Sequence, residues 1–190
     1  LARYTNAGYL INLDPQSEAR GLPVPDLSRS EEIPEYPRNR LWWNRLDERP
    51  APCHQPDADP YLLGEFRLDG GTPVKPAFQL LLERVKDYTP QWAEGITGIP
   101  AATIRRLAHE MGVTARDQKI VLPIAWTDSW GTEHQQVTGN PVSFHAMRGL
   151  AAHSNGFQTI RALAILMSLL GTIDRPGGFR HKAPFPRGIP

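Results

Sequence analysis

Proline is the residue that most restricts how this chain can fold. Ten of its nineteen prolines fall within the first 73 residues. Proline lacks a backbone N–H and fixes φ, and this part also shows little helical periodicity, so we expect no long helix in it. Short strands remain possible, and the clearest is a hairpin over 61–75, where Asp69-Gly70-Gly71 separates two extended runs. We therefore predict an irregular Pro-rich segment with short strands over 1–73, of the kind that wraps over a larger body.

Helical periodicity begins at residue 74. Apolar residues at 78, 81, 82 and 85 predict an amphipathic helix. Thr89-Pro90 predicts an N-cap with proline in the first turn of a second helix, closed by Gly95. A third helix is predicted to begin after Pro100 and to end at Gly112.

The sequence of the C-terminal part predicts two β-strands, a loop and an apolar helix. Apolar runs at 119–126 and 141–150 predict two strands, and 156–170 predicts a helix buried on most sides because Arg161 is its only charge. This order is typical of the half-unit of a doubly wound sheet, in which ligands lie at the carboxyl ends of strands. The predicted fold class is α/β, with 74–190 forming a helical linker and part of a doubly wound dinucleotide-binding domain.

Charge and cysteine content exclude several classes of function. The net charge is +1, which gives no sign of nucleic acid as a partner. The longest apolar run, 162–170, is too short to span a bilayer. Cys53 is the single cysteine, so the chain can form no internal disulfide or Cys-based cluster, and it reads as a loop thiol despite the adjacent His54. The chain begins with Leu and ends in a Pro-rich tail, so we expect a fragment of a larger protein.

The best candidate for ligand binding is the polar stretch at 153–156, which leads into the apolar helix. A helix N-terminus favours anions, glycine admits close approach of the backbone, and an Asn side chain can both donate and accept hydrogen bonds. The alternative is that Ser154 or Asn155 only caps the helix. The pattern alone favours the cap, because it is not a G-x-G-x-x-G fingerprint.

Three other features each have a structural interpretation beside a functional one. His145 and His153 lie eight residues apart, which is not a metal-ligand spacing. The segment 126–130, with a tryptophan at each end, could line a ligand or pin a loop. Arg161 needs a partner within its apolar helix, and Asp174 is the predicted one.

Two long segments carry a resemblance to a known family. YTPQWAEGITGIPAATIRRLAHEM (88–111) and HAMRGLAAHSNGFQTIRALAILMSLLGTIDRPGGFRHKAPFPR (145–187) resemble, in the same order, stretches of the large catalytic subunits of molybdopterin oxidoreductases of the dimethyl sulfoxide reductase superfamily. Within 1–73, ARYTNAGYLI, LWWN and DPYLLGEF are similar to the branch of sulfite dehydrogenases and thiosulfate or polysulfide reductases. The resemblance covers nearly the whole chain.

The resemblance implies a fold, a cofactor and a set of binding residues. The implied cofactor is molybdenum or tungsten held by two pyranopterin guanine dinucleotides, and the chain would lie across part of two α/β dinucleotide-binding domains. His153 would face the cofactor or the substrate funnel and is the candidate catalytic residue; no residue is a predicted metal ligand. The residues implied to contact the cofactor are Met147, Arg148, Gly149, His153, Asn155, Gly156 and Gln158.

The resemblance also implies partners that these residues do not include. The family's iron–sulfur motif and its ligand to the metal lie upstream, so we expect this piece to be inactive alone. Expected partners are the rest of the catalytic subunit, an iron–sulfur electron-transfer subunit, a membrane anchor subunit and a small inorganic sulfur substrate. We expect a membrane-associated complex on the cytoplasmic side, with a periplasmic one as the alternative. The rival hypotheses are a formate dehydrogenase-like enzyme and a non-catalytic α/β binding module.

Overall fold

A computed structural model describes residues 5–27, 39–55, 57–128, 131–146 and 148–179, without the side chain of Arg148. The chain divides into two compact units, Leu1–Trp92 and Ala93–Pro190. The predicted division at residue 73, which was based on composition, stays a prediction. None of the described helices is both long and apolar enough to cross a membrane.

Short antiparallel strands build the first unit, as the proline content predicts. A three-stranded sheet has the order β1-β5-β4, and β2 and β3 form a separate hairpin. The predicted hairpin at 61–75 is confirmed by the pairing of β4 with β5 around the glycine turn. The elements are β1 (Leu10–Asn12), β2 (Leu41–Asn44), β3 (Arg49–Pro52), β4 (Phe66–Arg67), β5 (Pro73–Pro76) and α1 (Ala77–Val85).

Prolines take edge and terminal positions in these strands. Pro73 and Pro76 are the first and last residues of β5, and Pro50 and Pro52 lie in the two-stranded hairpin. These are positions where a missing N–H removes few ladder bonds. The core between the strands is small. Its most deeply buried side chains are those of Leu10, Asn44, Cys53, Val74, Pro76 and Trp42.

Asn44 is a buried polar residue that joins three segments of the first unit. Its side chain is 2% exposed. The amide Nδ2 donates to Asp47 Oδ1 at 2.7 Å. The oxygen Oδ1 accepts the backbone N–H of Asp59 at 2.9 Å, fifteen residues away. Since both ends of the amide are used, the burial of this polar group is compensated.

We predict that Asn44→Ala loosens the segment around Asp59. Removing the buried amide takes away the acceptor of the Asp59 N–H and leaves a space in the core, which together cost about 2 kcal/mol. In the full-length subunit, hydrogen exchange over 57–61 should then become roughly 30-fold faster. Asn6→Ala, at an exposed asparagine of the same unit, is the matched control. Equal exchange in both variants would contradict this role of Asn44.

The second unit combines helices with small antiparallel ladders. Strand β6 pairs with β9, and β7 pairs with β8. A short 3-10 helix, Arg148–Leu150, precedes the last α-helix. The remaining elements are α3 (Ala101–Asp117), β6 (Ile120–Leu122), β7 (Trp126–Thr127), β8 (Glu133–His134), β9 (Val137–Gly139) and α4 (Gly156–Leu170); α2 (Pro90–Thr97) lies across the boundary of the two units.

The predicted helices are present, with two changed ends. The Thr89 hydroxyl accepts the N–H of Trp92 at 3.2 Å, as expected of an N-cap. Helix α2 continues past Gly95 to Thr97 and is followed by Gly98 at φ 72°. Helix α3 runs through Gly112 for another turn, so the predicted C-cap was wrong. Ala115 in that extra turn is buried, which gives the longer helix a packing advantage.

The doubly wound sheet is not seen among the described residues, so the fold class stands only as mixed α/β. Every described ladder between named strands is antiparallel. The strand predicted at 141–150 was wrong: residues 141–146 form no ladder, and 148–150 are helical. Pro141 offers no N–H at the start of this segment. Instead, Ser143 Oγ donates to the carbonyl of Gly178 at 3.3 Å.

A lysine and an asparagine connect the ends of two helices in this unit. Lys119 Nζ donates to the carbonyl of Ala115 at 2.8 Å and to Asn140 Oδ1 at 2.6 Å. Asn140 Nδ2 in turn donates to the carbonyl of Leu170 at 2.8 Å. A cation at helix C-termini opposes the negative end of the macrodipole. These bonds join α3, β9 and α4, and the group is called the Lys119–Asn140 link below.

The turn after α4 packs against β9 without room for side chains. Gly171 ends the helix at φ 65°, a left-handed conformation suited to glycine. A Cβ on Gly139 would clash with the carbonyl oxygen of Pro176, and one on Gly178 would clash with that of Thr172. The Pro-Gly-Gly turn at 176–178 is therefore closely packed.

Candidate functional site

The predicted cofactor-binding residues lie in one continuous segment that ends in the first turn of α4. The 3-10 helix contains Arg148 and Gly149, a turn follows, and Gln158 lies in the first turn of α4. Met147 lies outside the described residues. The segment does not follow a strand, so the predicted placement at a strand's carboxyl end was wrong. Contact of these residues with a cofactor stays a prediction.

Backbone bonds shape the turn from 153 to 156. The carbonyl of His153 accepts the N–H of Gly156 at 2.9 Å. His153 Nδ1 accepts the N–H of Asn155 at 3.2 Å. The carbonyl of Asn155 accepts both the N–H and the hydroxyl of Thr159. The histidine ring thus holds the local turn, and its role as a catalytic residue stays a prediction.

Asn155 occupies the N-cap position of α4, but its side chain makes no capping hydrogen bond. The side chains of Ser154, Asn155 and Gln158 are exposed. The capping explanation favoured by the pattern alone therefore does not hold for the Asn155 amide. An exposed amide has two donors and an acceptor, the set needed to pair with the edge of a pterin or a guanine. The donor chemistry of Asn155 and Gln158 fits the implied cofactor.

The two glycines of this segment differ in what a side chain would meet. A Cβ on Gly156 would clash with the carbonyl oxygen of Ala151, and Gly156 is buried. A Cβ on Gly149 would meet nothing within 4 Å. Gly156 is therefore required by the packing of the turn itself. Gly149 is exposed, and this chain would leave room for a side chain at that position.

We predict opposite effects for substitutions at these glycines in the full-length subunit. Gly156→Ala forces the turn against Ala151 and should cost about 1–3 kcal/mol, seen as faster proteolysis within 148–160. Gly149→Ala should leave proteolysis unchanged, because the added methyl group has room within this chain. Equal sensitivity of both variants would show that the packing of Gly156 is not required.

Helix α4 is apolar but only partly covered. Gly156 and Met167 are its buried residues. Phe157 is 76% exposed and Leu169 is 48% exposed, so the predicted burial on most sides was wrong for this chain. Arg161 is exposed and forms no ion pair with Asp174 in the described structure. The predicted pairing of Arg161 with Asp174 was therefore wrong for the described structure.

An aromatic cluster forms around Trp126. The indole stacks on the ring of His134 with centroids 4.6 Å apart, and the guanidinium of Arg175 lies 4.9 Å from the indole centroid. His134 Nε2 lies 3.1 Å from Asp128 Oδ2. Asp128 Oδ1 also accepts the N–H of Thr132 at 2.9 Å. These contacts support the pinned-loop interpretation for Trp126; Trp130 lies outside the described residues.

Sequence reasoning missed the part of Arg175 in this cluster. The available signal was an arginine in the Pro-Gly-Gly turn together with a distant tryptophan, but spacing alone does not connect them. Among the described residues, no group of three or more His, Cys, Asp or Glu side chains could hold a metal ion. The expectation that the chain supplies no metal ligand stays a prediction.

Cys53 is a buried thiol of the first unit. It is 2% exposed. Burial raises its pKa above the ordinary value of 9.0, while hydrogen bonds to Arg40 and Tyr9 act in the opposite direction. A thiol with a raised pKa is mostly protonated at neutral pH and is a poor nucleophile. The structure therefore supports the loop-thiol interpretation over a catalytic one.

We predict slow alkylation of Cys53 and a stability change only in alkali. At pH 8, iodoacetamide should label its peptide at least about 10-fold more slowly in the native full-length subunit than in urea. The folded state holds the proton of the Cys53 thiol more tightly than the unfolded state does. The resulting contribution to the free energy of unfolding is complete at pH values below the ordinary pKa, and it is lost as the pH rises through the raised pKa of the folded state. Equal labelling rates in the two states would contradict the burial.

Comparison with known proteins gives consistent matches. A sulfite dehydrogenase subunit of Allochromatium vinosum is 65% identical over 190 residues, which are 100% of this chain and 20% of that protein. The arsenate respiratory reductase molybdopterin-containing subunit of a Shewanella species is 37% identical over 68 residues, 36% of this chain and 7% of that protein. A probable dimethyl sulfoxide reductase chain of Escherichia coli is 34% identical over 90 residues, which are 47% of this chain and 8% of that protein. No protein-family model matches the sequence.

These matches confirm the resemblance found in the sequence. The chain belongs to the molybdopterin oxidoreductases of the dimethyl sulfoxide reductase superfamily, as part of the catalytic subunit. It spans about a fifth of the length of the sulfite dehydrogenase protein that it matches. The formate dehydrogenase relatives are more distant.

Proposed function

We propose that this chain is the part of a molybdenum oxidoreductase catalytic subunit that helps to bind a bis(pyranopterin guanine dinucleotide) cofactor. The observation that carries the proposal is the 65% identity over the whole chain to a sulfite dehydrogenase subunit. When bound, the cofactor supplies two-electron redox chemistry and oxygen-atom transfer. The chain's own residues bind and orient it. The substrate of the whole enzyme is a small inorganic sulfur compound: either sulfite, which it oxidises, or thiosulfate or polysulfide, which it reduces.

The segment from 148 to 158 supplies the binding groups. The exposed amides of Asn155 and Gln158 pair with a pterin or guanine edge, and the first N–H groups of α4 favour the phosphates. Gly149 leaves the backbone accessible to the ligand. Arg148 and His153 belong to this segment, and Met147 directly precedes it in the sequence. A doubly wound dinucleotide-binding domain would be completed by the rest of the subunit.

The partners proposed for the whole enzyme are based on the similarity to the sulfite dehydrogenase subunit of Allochromatium vinosum. The Allochromatium protein is one subunit of its dehydrogenase, which implies a complex of several subunits. We propose an iron–sulfur electron-transfer subunit and a membrane anchor, with an iron–sulfur cluster in the upstream part of the catalytic subunit. The complex would lie on the cytoplasmic side of the membrane, and the periplasmic side is the alternative.

We predict that Asn155→Ala lowers the cofactor content of the full-length subunit. Loss of one or two hydrogen bonds should reduce its molybdenum and guanine content about 2- to 10-fold, while α4 remains folded because the amide makes no capping bond. Ser154→Ala, at the adjacent exposed position, is the control. Molybdenum and guanine are measured by elemental and nucleotide analysis of the purified protein.

The results separate the proposal from its rivals. Normal content in the Asn155 variant would refute the assigned role of this amide. Absence of molybdenum, tungsten and guanine from the wild-type full-length protein would refute the function and favour a non-catalytic binding module. Oxidation of formate, with no activity on sulfur oxyanions, would favour the formate dehydrogenase-like alternative.

A further inference from the structure

The two ring nitrogens of His153 have different surroundings. Nδ1 lies 3.2 Å from the backbone nitrogen of Asn155 and accepts its N–H. A ring nitrogen accepts a hydrogen bond only through its lone pair, so Nδ1 carries no proton in this turn. The neutral ring then carries its proton on Nε2. The bond to the backbone therefore fixes the tautomer of His153.

The Nε2–H group of His153 is available to another molecule. The residue is exposed, and the bond to Asn155 is the contact that its ring makes within the described structure. The ring offers no second lone pair, because a proton taken up at Nδ1 would break the bond that holds the turn. A general base needs a free lone pair. His153 is thus arranged to donate a hydrogen bond and not to accept a proton.

The groups next to His153 are also mainly donors. Phe157 and Gln158 lie in the first turn of α4, and their backbone N–H groups bond to no acceptor of the described structure. The exposed side chain of Asn155 adds an amide that makes no capping bond. A set of donors of this kind is complementary to a ligand rich in oxygen acceptors, such as the phosphates and carbonyls of a dinucleotide.

We infer that the two nitrogens of His153 have separate roles at the proposed cofactor site. Nδ1 holds the turn that presents Asn155, and Nε2–H donates a hydrogen bond to an oxygen atom of the pterin dinucleotide. The inference rests on the proposed function and deepens it, since it assigns each nitrogen a task. The alternatives are that the ring only holds the turn, or that it is a proton acceptor in the reaction.

Two substitutions separate the two nitrogens. In His153→Asn the side-chain oxygen takes the place of Nδ1 and can still accept the N–H of residue 155, as asparagine does in many turns, but the outward donor is lost. In His153→Gln the longer side chain brings an amide donor to the region of Nε2, and the acceptor at the position of Nδ1 is lost. The Lys119–Asn140 link holds the far end of α4 in both variants.

Cofactor content of the purified full-length subunit is the first measurement. The molybdenum and guanine content of His153→Asn should fall about 5-fold or more, because a hydrogen bond to the cofactor is lost. His153→Gln should keep more than about half of the wild-type content, because its amide replaces the donor. Equal loss in the two variants would overturn the inference. The opposite order, with the larger loss in His153→Gln, would also overturn it and would show that the ring only holds the turn.

Hydrogen exchange of the amide of residue 155 is the second measurement. It should be at least about 3-fold faster in His153→Gln than in His153→Asn, because the glutamine variant lacks the acceptor at the position of Nδ1. Loss of cofactor from the asparagine variant would act in the opposite direction, so it cannot produce this result. Equal exchange in the two variants would contradict the role of Nδ1.

The same samples separate this inference from the proposed function. Normal cofactor content in both variants, together with lost turnover, would overturn the inference in favour of a proton-accepting residue and leave the function standing. A wild-type subunit without molybdenum, tungsten and guanine would refute the function, and the role of Nε2–H with it.

Discussion

The ammonium group of Lys119 is the contact on which the second unit depends. It lies at the C-terminal end of α3, just before β6, and its partner Asn140 directly follows β9 and reaches the last carbonyl of α4. Without these bonds, the carbonyls of Ala115 and Leu170 near the two helix ends would lose their side-chain donors. A single cation and a single amide thus connect two helices and one small ladder. Charge-assisted bonds of this kind are stronger than neutral ones.

The local structure of this chain could largely be predicted from its sequence. Proline placement, the Asp69-Gly70-Gly71 turn, the Thr89 cap and the Gly171 helix end each depend on the chemistry of a few adjacent residues. Such signals do not require knowledge of distant contacts. The wrong helix end at Gly112 shows their limit, because a buried Ala115 one turn later extends the helix past a residue of low helix propensity.

Long-range arrangement could not be predicted in the same way. The apolar run at 141–150 suggested a strand, yet Pro141 and the bond from Ser143 to Gly178 direct it to the turn after α4. The contact between Arg175 and Trp126 joins residues far apart in the chain, and no periodicity links them. For the candidate site, family resemblance identified the segment, and the structure added which residues serve packing and which remain available.

The unused side chain at the start of α4 has a consequence for the energetics of the segment. A capping bond at this position is commonly worth about 1 kcal/mol, and the helix does without it. Natural proteins often keep such local instability where a side chain serves a ligand instead. Asparagine is itself a good capping residue, so the missing bond comes from the backbone of residue 155, which has φ −97° and ψ 10° instead of the extended conformation of a cap. A more thermostable form of this segment would therefore need a change in the turn before the helix as well as in the side chain.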